Sequence, residues 1–465
     1  MNKIIKYLPK ITPSILAYYA SQGKWKFQPH LRLIENNFFD ILEGETKNLI
    51  VNMPPRHGKS EFISKYIPFW YLSVYPEKRI ILVSYQASLA ESWSRKIREM
   101  FINFGDRFNL NLNPNKRKAN EFEIANYGGG LVAVGVGGSL TGKGADLLII
   151  DDPIKNDAEA NSITYRNKTW DWFNSTALTR LEPDGSCIIV MTRWHEDDIT
   201  GRLLNQSKIT SSLSWKHLSL PAIAKSNDAL NRKVGEPLWE NRFDINKLTD
   251  IKKAIGSYWF SALYQQEPVP AGHSIFKRLY FCYFQSFENY FELSISPTEK
   301  KQILKNQVSI MATMDLAIST KETADYTVAL VFGKTQTGEI LVIDVIRERF
   351  ETNEHINLLN SIYAKYKPVI IGIENVQYQQ SLIQSAIKEG LPIKSLRPDK
   401  DKISRALPIA SLIENGKVYF RKGAIYLEEF ENELLQFPKG KNDDQVDALS
   451  YIFQMLPINS GLLPV

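Results

Sequence analysis

The chain has 465 residues, 43% of them hydrophobic and 23% charged, which is a globular balance over a length that usually needs two cores. No apolar run reaches the ~18 residues of a membrane-spanning helix, so no membrane association is expected. Lys and Pro break up the first apolar stretch, so it does not read as a secretion signal. Two cysteines, Cys187 and Cys282, argue against a disulfide framework or a cysteine zinc site and fit a reducing cytoplasm, and a net charge of +6 permits nucleic-acid binding without demanding it.

Taken in chain order, WKFQPH puts Gln28 ahead of the first strand, where its amide can read an adenine edge. The strand Asn48–Met53 runs into the loop Pro54, Pro55, Arg56, His57, Gly58, Lys59, Ser60, and a helix begins near Lys59. A strand, tight loop and helix start present backbone N–H groups to phosphates, with Lys59 reaching the β- and γ-phosphates of ATP and Ser60 ligating Mg²⁺. Met53 stands where the phosphate-loop pattern has its first glycine; the two prolines stiffen the loop. For Arg56, a γ-phosphate contact in cis and an ordinary surface position both remain open.

Further buried-type strands are expected at Arg79–Tyr85, Leu147–Ile150 and Cys187–Met191, with a helix over Ala87–Phe101 and a hairpin over Asn120–Gly138 turning at Gly128–Gly130. DLLIIDDP ends in Asp151 and Asp152, where one carboxylate can sit beside Mg²⁺ and the next can act as base for the attacking water. Arg79–Tyr85 is read as the extra strand between the phosphate-loop strand and the acidic strand, the arrangement of ATPases that use a catalytic acid. CIIVMTRWH ends a strand at Thr192, a residue type that can sense the γ-phosphate, while Trp194 and His195 suit core and cap roles. Lys143 is read as a solvated lysine in preference to one acting on a neighbour's ATP.

The second half changes pattern. Ser309–Ile318, Tyr326–Gly333 and Ile340–Arg347 read as a strand meander with a turn at Gln336–Glu339. A helix Glu354–Tyr366, strand Val369–Glu374, helix Gln379–Glu389, strand Ile393–Leu396, helix Ser404–Asn415, a hairpin-like Lys417–Arg421 and two final helices follow. That order is the order of an RNase H-like fold. Asp315 lies in an apolar strand, Glu374 ends another, and Asp444 and Asp447 share a helix face. Like charges so gathered need divalent cations, and two Mg²⁺ or Mn²⁺ about 3.5–4 Å apart would cut a phosphodiester. Asp325 is a weaker candidate, and Asp344 is expected to pair locally. Between the halves lie Pro268–Gly272 and an irregular aromatic stretch to about Thr298, and the domain boundary is expected there, giving residues 1–285 and 286–465.

The ordered set MPPRHGKS, LLIIDDP, MTRWH, TMDLA, IGIEN and DDQVDAL resembles the large terminase subunit of tailed bacteriophages and prophages, from about Lys26 to Phe453. GVGGSLTGKGADLLIIDDPIKN and YQQEPVPAGHSIF carry the same likeness. The resemblance implies an α/β chain with an N-terminal RecA-like ATPase of the additional-strand, catalytic-acid class and a C-terminal RNase H-like endonuclease. It implies double-stranded DNA, a small terminase subunit and a portal protein as partners, and a homo-oligomeric ring, usually of five copies, at work in the host cytoplasm. Lys59, Ser60 and Asp151 carry over as nucleotide and Mg²⁺ contacts, Thr192 as the coupling residue, and Asp315, Glu374, Asp444 and Asp447 as nuclease metal ligands. The usual acidic pair of that motor is Asp-Glu, and here it is Asp151-Asp152. Two other functions compete: a helicase-like repair translocase with a fused nuclease, and an inactive prophage remnant that only binds DNA.

Overall fold

The computed structural model describes residues 11–209, 215–269, 273–296, 298–316, 326–351, 354–375, 379–398 and 400–456. The chain divides into two compact units, Met1–Asp250 with Trp259–Val269, and Ile251–Tyr258 with Pro270–Val465. Among the described residues, no helix is long and apolar enough to cross a membrane.

The first unit is built on strands β1 (Asn48–Asn52), β2 (Arg79–Ser84), β3 (Leu112–Arg117), β4 (Glu121–Ile124), β5 (Gly130–Gly135), β6 (Ala145–Asp151), β7 (Leu181–Met191) and β8 (Trp215–Ser219), in the order β3-β4-β5-β2-β6-β7-β1-β8. The strands from β5 to β8 run parallel, and β3 and β4 add an antiparallel edge. Successive residues of a strand face opposite sides, so one sheet feeds two cores. Leu49, Val51, Leu82, Ile149 and Val190 pack on one face with the helices Pro29–Leu42 and Ala87–Phe104. Ile50, Val83, Leu148, Ile150, Cys187 and Ile189 pack on the other with Trp172 and Phe173. The buried strands are continuous apolar runs because neither face meets water. One expectation is corrected here. Arg79–Ser84 lies on the far side of β6 from β1, and the strand that separates the phosphate-loop strand from the acidic strand is β7.

The sheet of the second unit has the order β11-β10-β9-β17-β14-β13-β12-β15-β16. Its heart is the expected meander, β12 (Val308–Asp315), β13 (Thr327–Thr335) and β14 (Ile340–Glu348), with β15 (Ile371–Glu374) parallel to β12 and β16 (Ile393–Leu396) parallel to β15. Two corrections follow. Lys417–Arg421 is no hairpin: β17 (Val418–Arg421) is a single strand parallel to β14. The stretch read as irregular holds β9 (Cys282–Ser286), β10 (Tyr290–Ser294) and β11 (Lys300–Leu304), which extend the sheet beyond β17. A division at 285/286 would therefore cut through a strand of this sheet. Asp325 lies outside the described residues. Asp344 pairs locally as expected, accepting from the Tyr366 hydroxyl and from Lys365.

Candidate functional site

The phosphate loop is shaped by where its backbone turns. Met53 is fully buried and its N–H reaches the Met191 carbonyl (3.3 Å), so the strand continues one residue further and no glycine is needed there. The turn comes later, at Arg56 (φ 63°) and Gly58 (φ 92°), and the backbone at Gly58 is one that a residue with a side chain adopts only with strain. Pro54 and Pro55 lead into that turn, and the Arg56 side chain is exposed at it. The helix then starts at Lys59 and runs through a π-helical stretch, Phe62–Tyr66, to Val74.

The His57 side chain is packed inside the first unit, which leaves its backbone N–H as its group for a phosphate. The ring is buried, stacked 4.7 Å from Phe243, with Nδ1 on the Pro55 carbonyl (2.8 Å). His30 supports the loop from the preceding helix, donating Nε2–H to the His57 carbonyl (3.0 Å), and Trp239 packs near both imidazoles. Burial pulls each of these histidines down to about 4, so both are neutral. Gln28 is the half-exposed residue at the start of the helix that carries His30, and its side chain makes no capping bond. A cleft of about 520 Å³ lies beside the phosphate-loop helix, lined by Lys24, Trp25, Glu61, Lys65 and Tyr66 among others.

The acidic pair closes the site. Asp151 is buried at the end of β6, and its two oxygens accept from Ser60 Oγ and Ser64 Oγ, each at 2.8 Å. Burial and the neighbouring charge of Asp152 push Asp151 up to about 7, against the pull of Lys59 and the serines. Asp152 has left-handed backbone (φ 46°), pinned by Asp152 N–H on the Val190 carbonyl and Tyr85 N–H on the Asp152 carbonyl. One Asp152 oxygen accepts from Lys59 Nζ (2.7 Å) and the other from the Thr192 N–H (3.0 Å). The Thr192 hydroxyl donates to the Met53 carbonyl (3.2 Å). Because β7 runs between β1 and β6, Thr192 emerges between the loop and the acids and is bonded to both. Arg193 beyond it is buried in an ion pair with Asp198 (2.8 Å), and its N–H reaches Gln266 (3.2 Å). Trp194 packs edge-on against Trp259, His195 Nδ1 accepts from the Asp197 N–H, and Lys143 pairs with Glu121.

In the second unit, Asp315 ends β12 and Glu374 ends β15, the neighbouring parallel strand. Asp444 and Asp447 open the helix Asp444–Ser450, which Thr313 Oγ1 ties to β12 through the Ala448 carbonyl (2.7 Å). Burial, then the charges of Glu374, Asp447 and Asp444, hold Asp315 well above the usual carboxylate range. The acids are thus mutually felt, yet among the described residues no three carboxylates or imidazoles converge closely enough to hold an ion. Three of the four have another partner instead. Tyr451 donates to Glu374 (2.7 Å), Tyr326 N–H to Asp444 (3.2 Å), and Arg405 to Asp447 (2.5 Å). Sequence reasoning singles out neither Arg405 nor Tyr451, nor the His30, Trp239 and Phe243 support of the loop.

A phosphate-binding loop facing an acidic strand end, joined in one chain to a meander sheet with carboxylates at adjacent strand ends, defines an ATPase–nuclease. Residues 50–279 match the family model for the terminase large subunit, T4likevirus-type, N-terminal, and residues 312–456 match that for the terminase RNaseH-like domain. The chain belongs to the large terminase subunit family, the ATPase–nucleases that package viral DNA. No curated protein matches it. Among solved structures, the large terminase of a thermophilic bacteriophage is 11% identical, with 90% of this chain and 98% of that chain covered at a TM-score of 0.48. The HK97 bacteriophage large terminase is 13% identical over 85% of each chain, at 0.36. The large terminase nuclease of thermophilic phage G20c with bound magnesium is 14% identical, covering 40% of this chain and 98% of that one, at 0.29.

Proposed function

We propose that residues 54–60 hold ATP and that hydrolysis there drives double-stranded DNA into a procapsid, while Asp315, Glu374, Asp444 and Asp447 serve the cut that frees the packaged length. The observation that carries the motor reading is the double tether of Asp152, to Lys59 on one oxygen and to Thr192 on the other. Lys59, drawn onto the β- and γ-phosphate oxygens, leaves Asp152. Asp152 stays oriented by the Thr192 N–H and offers its freed oxygen to the attacking water as general base. Ser60 and Asp151 would hold a Mg²⁺ that neutralises phosphate charge; their present bond through Ser60 Oγ puts two hard oxygen donors together for it. Thr192, bonded to the loop at Met53 and to Asp152, carries the change in the site into the segment after β7. Arg56, exposed at the loop turn, is available to a γ-phosphate in cis, and Gln28 to the base.

The four nuclease acids suit two Mg²⁺ or Mn²⁺ by their donor chemistry: all are hard oxygens, and of the burial and like-charge crowding that raise Asp315, the crowding is what divalent cations would relieve. Bound ions would supply an activated water and stabilise the leaving oxygen. We further propose a small terminase subunit and a portal protein as partners, a ring of copies of this chain, usually five, on the portal, and action in the host cytoplasm. DNA is gripped by its backbone, so binding falls steeply with salt.

Two single variants separate the activities. Lys59→Ala is expected to lose ATP turnover and keep plasmid cutting in Mn²⁺; Asp315→Ala is expected to do the reverse. Undiminished turnover in the first, or undiminished cutting in the second, would refute that half of the assignment.

A further inference from the structure

We propose that Arg405 and Lys402 form a cationic latch on Asp447, competing with a divalent ion for that carboxylate and yielding it when the phosphodiester of bound DNA draws the two cations away. The inference rests on the nuclease reading above and adds a coupling between DNA binding and metal loading.

The helix Lys402–Glu414 is capped by Asp401, whose Oδ1 accepts from the Ser404 N–H (3.0 Å). The cap fixes the first turn, and Lys402 and Arg405, three residues apart, leave it on the same side. Arg405 Nη2 lies 2.5 Å from Asp447 Oδ1, and Lys402 Nζ lies 3.4 Å from Asp447 Oδ2. Both oxygens of Asp447 are therefore faced by protein cations. Lys402 also holds Asp443 at 2.6 Å, the residue that precedes the Asp444 helix.

The Arg405 guanidinium has three partners: Asp447, the Lys400 carbonyl through Nη1 (3.1 Å) and the face of the Tyr451 ring. It lies over the Tyr451 ring (5.6 Å), and the Tyr451 hydroxyl is the donor that holds Glu374. Its Nε is buried without a hydrogen-bond partner. A buried N–H left unmatched costs free energy, so this arrangement keeps a donor in reserve beside the acids. An arginine fork matches a phosphate as well as a carboxylate. A divalent ion at Asp447 removes most of the attraction that keeps the two cations there, and a DNA phosphate next to the acids offers them a replacement anion. Each event makes the other easier, which is a thermodynamic coupling with a reciprocal size.

The test uses the full chain with Mn²⁺ as probe. Free Mn²⁺ is read from its EPR signal in titrations of the wild type, Arg405→Gln and Lys402→Gln, with and without a short DNA duplex, against duplex alone. The wild type is expected to bind Mn²⁺ at least about fivefold more tightly with duplex, and to bind duplex more tightly by the same factor with Mn²⁺. Without duplex, Arg405→Gln should bind Mn²⁺ at least about fivefold more tightly than the wild type and gain little when duplex is added. Lys402→Gln should show a smaller gain, roughly twofold, because Lys402 is half-exposed and screened; it carries the test if Arg405→Gln melts early. Unchanged Mn²⁺ affinity in the folded variants overturns the latch and leaves the ion site standing. Absence of Mn²⁺ binding in every form, duplex present, overturns the latch together with the ion-site reading beneath it.

Discussion

The two acidic sites are assembled in different ways. In the ATPase unit the acids are neighbours in sequence at one strand end, and the backbone itself positions them. Asp151 is already seated on Ser60 and Ser64, and Asp152 already touches the lysine it must release. In the nuclease unit the acids come from two strand ends and one helix, and three of the four are occupied by different donors: Glu374 by Tyr451, Asp444 by Tyr326 and Asp447 by Arg405. A site built on one strand end is ready when its ligand arrives. A site gathered from separate elements has competing partners to shed first.

The sharpest way to break this comparison is Asp152→Asn. It keeps the size of the side chain and removes the base, so ATP turnover should fall by about 10²–10⁴ in a phosphate-release assay, with plasmid cutting retained. A drop of only a few-fold would mean that Asp152 is not the base and that the first site is less complete than its geometry implies. Next in size, Tyr451→Phe removes the hydroxyl on Glu374 and should lower Mn²⁺-dependent plasmid cutting by about 10–100-fold, as the loss of a partner that orients a metal ligand does. An unaltered rate would show that Glu374 needs no such support. Phe243→Ala removes the ring stacked on His57, behind the phosphate loop, and should weaken nucleotide binding by roughly 2–10-fold in a fluorescent-analogue titration.

The smallest effect concerns stability. Asp151 is raised to about 7 in the folded chain, chiefly by burial and by Asp152. The folded state therefore holds a proton that the unfolded state has lost, from about pH 4 upward. Nucleotide-free stability contributed by this group falls as pH rises through that window and is lowest above about pH 7. Asp151→Asn should flatten the pH dependence and raise the melting temperature at about pH 8 by about 2–4 °C. A lower melting temperature there would contradict the assignment.

What can be read from the sequence follows from how local each feature is. The loop residues Lys59 and Ser60 and the acids of DLLIIDDP each lie in a contiguous stretch, so they stand out as candidates in the sequence. The meander β12–β14 is plain too, because its connections are short. The burial of the His57 ring is hidden, because the direction of a loop side chain depends on two positive-φ residues and on Phe243, a partner far along the chain. The separating strand is hidden because spatial order is not chain order: β2 follows β1 in sequence, but β7 lies beside it. β10 and β11 escape notice because they are five-residue edge elements whose buried positions, such as Phe291, Leu293 and Ile303, are mixed with Lys and Glu. β17 passes for a hairpin because four residues cannot announce a parallel partner at Ile340–Val342. Arg405 draws no attention, since a helix-borne arginine is ordinary until Asp447 is seen against it.

The wedge position of β7 has a mechanical corollary. A strand bonded along both edges resists sideways displacement, so a tug on its tip is transmitted lengthwise. At that tip, Thr192 hands over to Arg193, which is clamped by Asp198 and reaches Gln266, three residues short of where the first unit ends at Val269. On the proposed assignment, loss of a phosphate at Lys59 would have a stiff, short road to the peptide that leads out of the first unit.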